Sequence, residues 1–341
     1  MNLRYILKEA RYYRKITGIS RPLKKFLLTQ TKLSEFVNGP WYQKMYQKII
    51  NKKSKEFEPK LLQIENTNLC NARCIMCPHV SMKREKKVMG QKDFEKIFDN
   101  VLRSYKIERF TVNGFGEPLI DKGLFNKINY VNKKYPQIKI DIYTNASLLT
   151  PEKTEALLKS NIDRITFSVN GTRKNYSKVM GLDYDKTIQN IRYFLNKNLK
   201  KNKKVLTNIS LMILDENKEE INKFMNFWNA YADSVRVYVP NDWAGGVENI
   251  IDISPFKINK RWPCFALWRN ITVDVDGNFV MCCRDYESKV KFGNLLDEDI
   301  REIRESKKFK ALLDNQLNFN FKTPVCSSCD NILESSLDWF C

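Results

Sequence analysis

A chain of 341 residues with 43% hydrophobic and 12% aromatic content can bury one large core or two modest ones, which excludes disorder over most of its length. Its 59 Lys and Arg against 39 Asp and Glu leave a net charge of +20, a balance suited to nucleic acid, acidic lipid or anionic ligands. Nine cysteines beside a single histidine, His79, argue against imidazole chemistry and for thiolates. The odd cysteine count, the length, and the lack of a signal-like opening predict a reducing, cytoplasmic setting rather than a disulfide scaffold. No apolar run reaches the 18 residues that a membrane-spanning helix needs.

Charge is concentrated at the start. Residues 1–60 hold 15 Lys and Arg and 4 Asp and Glu, so +11 of the +20 lies there. Leu3, Ile6, Leu7, Ala10 and Tyr13, then Leu23, Phe26 and Leu27, recur at helical spacing, with Gly18, Pro22 and Asn38-Gly39-Pro40 as breaks. This predicts a basic helical extension over residues 1–58, which either packs on the main body or meets an anionic membrane surface or a partner protein.

From Pro59 the texture changes to short β-branched or aromatic runs alternating with Lys/Glu-rich amphipathic segments. Strands are expected at 61–65, 109–113, 138–143, 164–169, 207–213 and 234–239, and helices at 91–104, 122–134, 151–160, 184–198 and 217–232. Thr150 followed by Pro151 is a helix start. Strands separated by crossover helices predict an α/β fold with a parallel sheet, open or curled into part of a barrel, whose reactive groups lie at the carboxyl ends of the strands. After Asn270 the alternation stops. Residues 271–280 read as a hairpin around Asp276-Gly277, the dipeptide favoured in tight primed turns, followed by a helix over 297–314.

Cys70-Asn-Ala-Arg-Cys74-Ile-Met-Cys77 falls in the loop after the first strand. Three thiolates at this spacing can wrap an iron-sulfur cube and leave one iron without a protein ligand; a zinc site would want a fourth ligand, which His79 could supply only through a cramped step. The loop resembles that of the radical S-adenosylmethionine (SAM) superfamily. The resemblance extends through Asn113-Gly-Phe-Gly-Glu-Pro118, Tyr143-Thr-Asn145 and Ser168-Val-Asn-Gly171 at successive strand ends, and covers residues 59–240.

It implies a partial (β/α)6 barrel over residues 59–245 and a [4Fe-4S] cluster held by Cys70, Cys74 and Cys77, whose open iron is chelated by SAM. It also implies that Gly114, Gly116 and Glu117 receive the SAM amino group, that Asn145, Ser168 and Asn170 bond its ribose and carboxylate, and that Met76 packs near its adenine. One electron from the cluster would cleave SAM to methionine and a 5′-deoxyadenosyl radical that abstracts hydrogen from substrate. The family often has an aromatic residue at the position of Met76 and Asp at that of Asn170. His79 is read as a loop residue with no proton role.

Cys264 and Cys282 are separated by 17 residues, and Cys326-Ser-Ser-Cys329 follows 43 residues on. With Gly277, Cys283 and Phe292-Gly-Asn294, this pattern resembles the SPASM/twitch module, which implies a small domain over residues 246–341 built of a β-hairpin plus a helix. Its implied ligands are Cys264, Cys282, Cys326 and Cys329 around one auxiliary [4Fe-4S] cluster, with Cys283 and Cys341 as bystanders; four thiolates also suit zinc. In such enzymes the auxiliary cluster accepts the electron left on a substrate radical, which implies dehydrogenation of a sugar, aminocyclitol or glycan precursor, or alternatively modification of a peptide.

A base is then needed for the substrate proton, and Asp285, Asp242 and Arg284 are the candidates. An electron donor such as flavodoxin or ferredoxin is implied as partner. A zinc-bearing nucleic-acid-binding protein is the competing class, but it leaves the glycine-rich and Ser168 motifs without a role.

Overall fold

The computed structural model describes residues 40–202, 204–238, 240–247 and 261–329. The start of the basic extension, residues 1–39, and Cys341 lie outside them. Six parallel strands run in chain order: β1 (Leu61–Ile64), β2 (Arg109–Val112), β3 (Lys139–Thr144), β4 (Arg164–Ser168), β5 (Leu206–Met212) and β6 (Ser234–Tyr238). Each pairs with its sequence neighbour in parallel. This is the expected α/β partial-barrel connectivity, with helices filling the crossovers that parallel neighbours need.

Those crossovers are α2 (Gln91–Ser104), α3 (Leu124–Lys134), α4 (Pro151–Lys159), α5 (Tyr176–Met180) with α6 (Tyr184–Lys200), and α7 (Ile221–Asn229). Thr150 caps α4 as its sequence predicts, its hydroxyl accepting from Lys153 N at 3.3 Å. The apolar faces of the helices close on the sheet. Phe94 and Phe98 of α2, for example, meet Phe110 of β2 at ring separations of 5.7 and 5.1 Å, all three fully buried. At the amino end of the strands Asp141 takes Arg109 at 2.6 Å and Arg164, so the barrel interior is filled there by a buried ion triad.

The sheet does not stop at β6. Helix α8 (Ala266–Arg269) leads into β7 (Asn270–Val273), which runs parallel to β1 with Leu61 opposite Asn270 and Ile64 opposite Val273. Antiparallel β8 (Asn278–Val280) and β9 (Lys291–Asn294) extend it, giving one nine-stranded sheet in the order β6-β5-β4-β3-β2-β1-β7-β8-β9.

The turn differs from the two-residue form expected. Asp274 N donates to Asn278 O at 3.0 Å, Asp276 keeps a negative φ, and only Gly277 is left-handed, at φ 85°. A three-residue loop with glycine in the left-handed position results, and Asp274 Oδ1 organises it by accepting from Asp276 N and Asn278 N at 3.0 Å each.

The single helix expected over 297–314 is two, α9 (Ile300–Glu305) and α10 (Lys307–Leu317), because Ser306 takes an extended ψ of 149° and caps the second, its Oγ accepting from Phe309 N. A second core lies under this module, where Trp262, Phe265, Trp268, Met281 and Leu312 bury with Ile50 of α1 (Pro40–Lys53). Phe57 meets Phe265 edge-on at 4.7 Å. The end of the basic extension thus packs on the C-terminal module. Among the described residues no helix is long and apolar enough to cross a membrane.

Candidate active site

The Cys70–Cys77 loop leaves β1 at its carboxyl end and is closed by its own flank. Asn68 Oδ1 accepts from Lys87 N at 2.6 Å, Asn68 Nδ2 donates to Glu85 O at 2.7 Å, and Met89 N donates to Asn66 O at 2.8 Å. His79 Nε2 lies 2.9 Å from the Asn68 carbonyl, which fixes that nitrogen as the donor. Burial pushes its pKa down, which favours the neutral ring.

The three thiols are half-buried and close enough to feel one another. Burial pushes Cys70 up to about 11, with the charges of Glu117 and Cys77 adding. Burial and then the charges of Cys77 and Cys70 push Cys74 higher still, and burial raises Cys77. Without metal these are neutral thiols, and iron binding must displace their protons. Three cysteines of one loop, near enough for the charges of Cys70 and Cys77 to act on Cys74, have the donor chemistry of a cube with one open iron.

Two glycines press the β2 loop onto this one. A Cβ on Gly116 would lie 2.2 Å from Thr67 O, and one on Gly114 would lie 2.4 Å from Glu65 Cγ. Glu117 N donates to Leu69 O at 2.8 Å. Glu117 itself is wholly buried, with Thr144 Oγ1 and Leu119 N donating to one oxygen and Asn145 N to the other, at 2.6, 3.1 and 2.7 Å. Its carboxylate ties the β2 loop to the end of β3, which leaves backbone as the part of this loop for a SAM ammonium.

The other expected SAM contacts are placed around the same strand ends. Asn145 Nδ2 donates to Asn71 Oδ1 at 3.1 Å and Asn71 Nδ2 to Ser147 Oγ at 2.8 Å, lacing the β3 loop to the cysteine loop. Ser168 ends β4, half-buried and level with Ser210 of β5. Asn170 is buried; its Oδ1 accepts from Met212 N at 2.8 Å and its amide nitrogen is 3.1 Å from Met180 Sδ. Met180 Sδ also receives Cys74 Sγ at 3.4 Å, a contact the sequence did not single out. Met76 is buried, and its carbonyl accepts from Trp243 Nε1 at 2.9 Å.

In the second module Cys264, Cys282 and Cys326 lie near enough for their charges to act on one another, with Cys329 and Cys283 close by. Burial pushes Cys264 up to about 12, with the charges of Cys326, Cys329 and Cys283 adding; Cys282 is raised by burial and by Cys283, Cys264 and Cys326; burial takes Cys326 to about 11. Gln316 of α10, fully buried, stands between two of them, its Oε1 accepting from Cys264 N at 3.1 Å and its Nε2 donating to Cys326 Sγ at 3.5 Å. Cys283 is exposed. Four cysteines with buried support have the donor chemistry of a four-sulfur centre, although among the described residues no three His, Cys, Asp or Glu side chains are gathered as a metal site.

Of the base candidates, Asp285 is buried and Asp242 half-buried. Asp285 Oδ1 and Oδ2 accept from Lys289 N at 2.8 Å and Val290 N at 2.9 Å, yet burial outweighs these donors and the charges of Lys289 and Arg84, and raises its pKa. Asp242 Oδ1 accepts from Ala244 N at 2.9 Å. A narrow crevice lies between the β1 and β2 strand ends and the segment after Cys282, lined by Glu65, Arg84, Phe115, Cys282, Asp285 and Ser288 among others.

Residues 64–227 match the Radical SAM superfamily and residues 264–330 match SPASM, an iron-sulfur cluster-binding domain. The S-adenosyl-L-methionine-dependent 2-deoxy-scyllo-inosamine dehydrogenase of Niallia circulans is 21% identical over 282 residues, 80% of this chain and 93% of that protein. The crystal structure of BtrN in complex with AdoMet and 2-DOIA superposes with a TM-score of 0.60 at 20% identity, covering 80% of this chain and 94% of that one. Streptococcus suis SuiB bound to precursor peptide SuiA gives a TM-score of 0.64 at 16% identity, over 83% and 73%. These matches fall on the strand-end loops and the two cysteine sets described above: the chain belongs to the radical SAM superfamily and carries a C-terminal SPASM-type iron-sulfur cluster-binding domain.

Proposed function

We propose that this radical SAM oxidoreductase removes two electrons and two protons' worth of hydrogen from an alcohol carbon of a sugar- or aminocyclitol-type molecule or glycan precursor, with the C-terminal cluster as the second electron's acceptor. The cofactors are SAM, the [4Fe-4S] cluster on Cys70, Cys74 and Cys77, and an auxiliary [4Fe-4S] cluster on Cys264, Cys282, Cys326 and Cys329. When bound, they supply a one-electron cleavage of SAM that delivers a hydrogen-abstracting 5′-deoxyadenosyl radical, and a sink for the electron the substrate then gives up.

The observation that carries this reading is that a radical SAM region and an iron-sulfur cluster-binding domain share one chain. Phe115 of the β2 loop, Cys282 and Asp285 line one narrow crevice, which sets a carboxylate beside the second cysteine set. Asp285, its pKa raised by burial, takes the hydroxyl proton through a remaining lone pair. The dehydrogenase relative, matched over 93% of its length, supports the cyclitol class. The likeness to SuiB supports peptide modification as the second reading.

Residues 59–245 act in this reading as the SAM-cleaving unit, reduced from outside by a flavodoxin- or ferredoxin-type donor, and 246–341 as the electron-accepting unit. Residues 1–39 are left to dock the chain on an anionic membrane surface or a partner. Their deletion is expected to weaken binding to anionic liposomes, and unchanged binding refutes that role.

The deciding experiment is anaerobic reconstitution, reduction, and incubation with SAM and a panel of aminocyclitols, sugar nucleotides, polyprenyl-linked glycans and peptides. A ketone product equal in amount to the 5′-deoxyadenosine formed, with none of either from Cys74→Ala, supports the reading. Turnover of peptides alone would replace the substrate class, and SAM cleavage by Cys74→Ala would overturn the whole.

A further inference from the structure

Past β6, residues 241–247 cross from the barrel toward the C-terminal module. Trp243, Ala244 and Gly245 have consecutive left-handed φ values of 51°, 56° and 82°. Residues with a Cβ avoid this conformation, and two in succession persist only where the surroundings over-determine them. The turn is first closed on itself. Asn241 Oδ1 accepts from Trp243 N at 3.1 Å, Asp242 Oδ1 from Ala244 N at 2.9 Å, and Asp242 O from Gly246 N and Val247 N at 2.7 and 3.0 Å.

It is then tied outward in two directions. The Trp243 indole donates to the carbonyl of Met76, which stands between Cys74 and Cys77, and its ring meets Phe115 edge-on at 5.5 Å. One residue later the carbonyl of Ala244 accepts from Ser328 Oγ at 2.9 Å, and Ser328 stands between Cys326 and Cys329. Gly246 lies so close under Tyr286 that a Cβ there would come 2.4 Å from the ring, and Tyr286 in turn meets Phe115 at 6.2 Å.

We propose that this left-handed turn is a strap that fixes the separation of the two cysteine loops, and that Trp243 is its positioning residue. One hydrogen bond reaches each loop, from adjacent residues of a closed turn that has no rotational slack. Movement of either loop is therefore transmitted to the other. Trp243 acts through Met76 and Phe115 and needs no contact with substrate.

The test is hydrogen–deuterium exchange of the full chain, before and after cluster loading, for wild type, Trp243→Phe and Ser328→Ala. Phenylalanine keeps an aromatic ring beside Phe115 while removing the indole donor together with its five-membered ring; Ser328 is exposed, so its loss leaves the fold intact. Trp243→Phe is expected to speed exchange about fivefold at the distant 324–329 loop, the effect of one lost hydrogen bond, and Ser328→Ala to do the same at 74–77. The double variant should go no further than the stronger single one.

Substitutions that loosen only the loop they touch, or whose effects multiply, overturn the strap. With clusters loaded, both variants should keep their iron yet form less oxidised product per 5′-deoxyadenosine. The exchange measurements need no substrate, so they stand or fall independently of the dehydrogenase reading.

Discussion

The carboxylate of Glu65 receives both terminal nitrogens of the Arg84 guanidinium, at 2.8 and 3.1 Å, with both side chains nearly excluded from water. The same carboxylate accepts from Phe115 N at 2.9 Å and Val275 N at 3.2 Å, while Arg84 Nε donates to Tyr286 O at 2.7 Å. One buried ion pair thus joins the end of β1, the flank of the first cysteine loop, the β2 loop, the β7–β8 turn and the segment after Cys282. Burial opposes the Arg84 charge, but the hydrogen bonds and charge of Glu65 outweigh it and hold its pKa above the ordinary value.

Breaking this pair from one side leaves the other ion buried without compensation, a loss of about 3–5 kcal/mol. Arg84→Met is expected to lower the urea midpoint by that equivalent and to reduce iron retention at both centres. Arg84→Lys keeps the charge, loses the two-pronged contact, and should fall between Arg84→Met and wild type. An Arg84→Met protein with a wild-type midpoint would show that the junction carries no stability.

The glycines of the β2 loop differ in what an added methyl would strike. At Gly116 the obstacle is the backbone of Thr67 and Leu69, which cannot move without opening the first cysteine loop; at Gly114 it is the Glu65 side chain, already held by Arg84. Gly116→Ala should therefore abolish SAM binding and lower iron at the first centre, with overpacking of about 1–3 kcal/mol or more on stability. Gly114→Ala should act through the Glu65–Arg84 pair, so its effect and that of Arg84→Met should be less than additive in a double-mutant cycle. Additive losses refute that coupling.

The strands, the crossover helices and both cysteine sets could be read from the chain because each is specified locally, by period, by caps or by spacing. The junctions between them could not. Leu61 pairs with Asn270, and no local signal in either segment names the other, so the joining of the C-terminal hairpin to the barrel sheet is visible only in the fold. Glu65, Gln316 and Trp243 carry no motif; each matters through a partner distant in sequence. Glu117 and Asn170 were legible as motif residues, but their side chains bind the scaffold, since a buried carboxylate or amide satisfies the backbone donors nearest to it. Ser306 broke a helix whose apolar period runs through it because its hydroxyl offered a cap instead.

Burial raises the pKa of Glu117, with three hydrogen-bond donors working against the rise. Between the ordinary glutamate value of 4.5 and its own higher value the folded chain binds a proton that the unfolded chain has lost, so stability falls as pH rises through that window. Glu117→Gln removes this slope. It also sets an amide against donors such as Asn145 N, which costs about 1–3 kcal/mol. Urea unfolding of the metal-free chain across mildly acid to neutral pH should give a flatter profile for Glu117→Gln with a lower plateau. An identical slope would assign the pH dependence elsewhere.

Cys282 and Cys283 are adjacent, and the proposed function makes only Cys282 a ligand. Cys282 is half-buried near Cys264 and Cys326, and its backbone carbonyl accepts from Asp285 N at 3.1 Å; Cys283 is exposed. Cys282→Ala should take the chain from about 8 iron atoms to about 4, and it should uncouple SAM cleavage from product. Cys283→Ala should leave both iron and coupling unchanged. The Cys282→Ala enzyme should still make 5′-deoxyadenosine, because the proposed ligands of the first cluster lie in a separate loop whose flanks are laced by Asn68, His79 and Asn71. Loss of iron on Cys283→Ala, or full iron on Cys282→Ala, would move the ligand from one residue to the other and with it the orientation of Asp285 at the cavity.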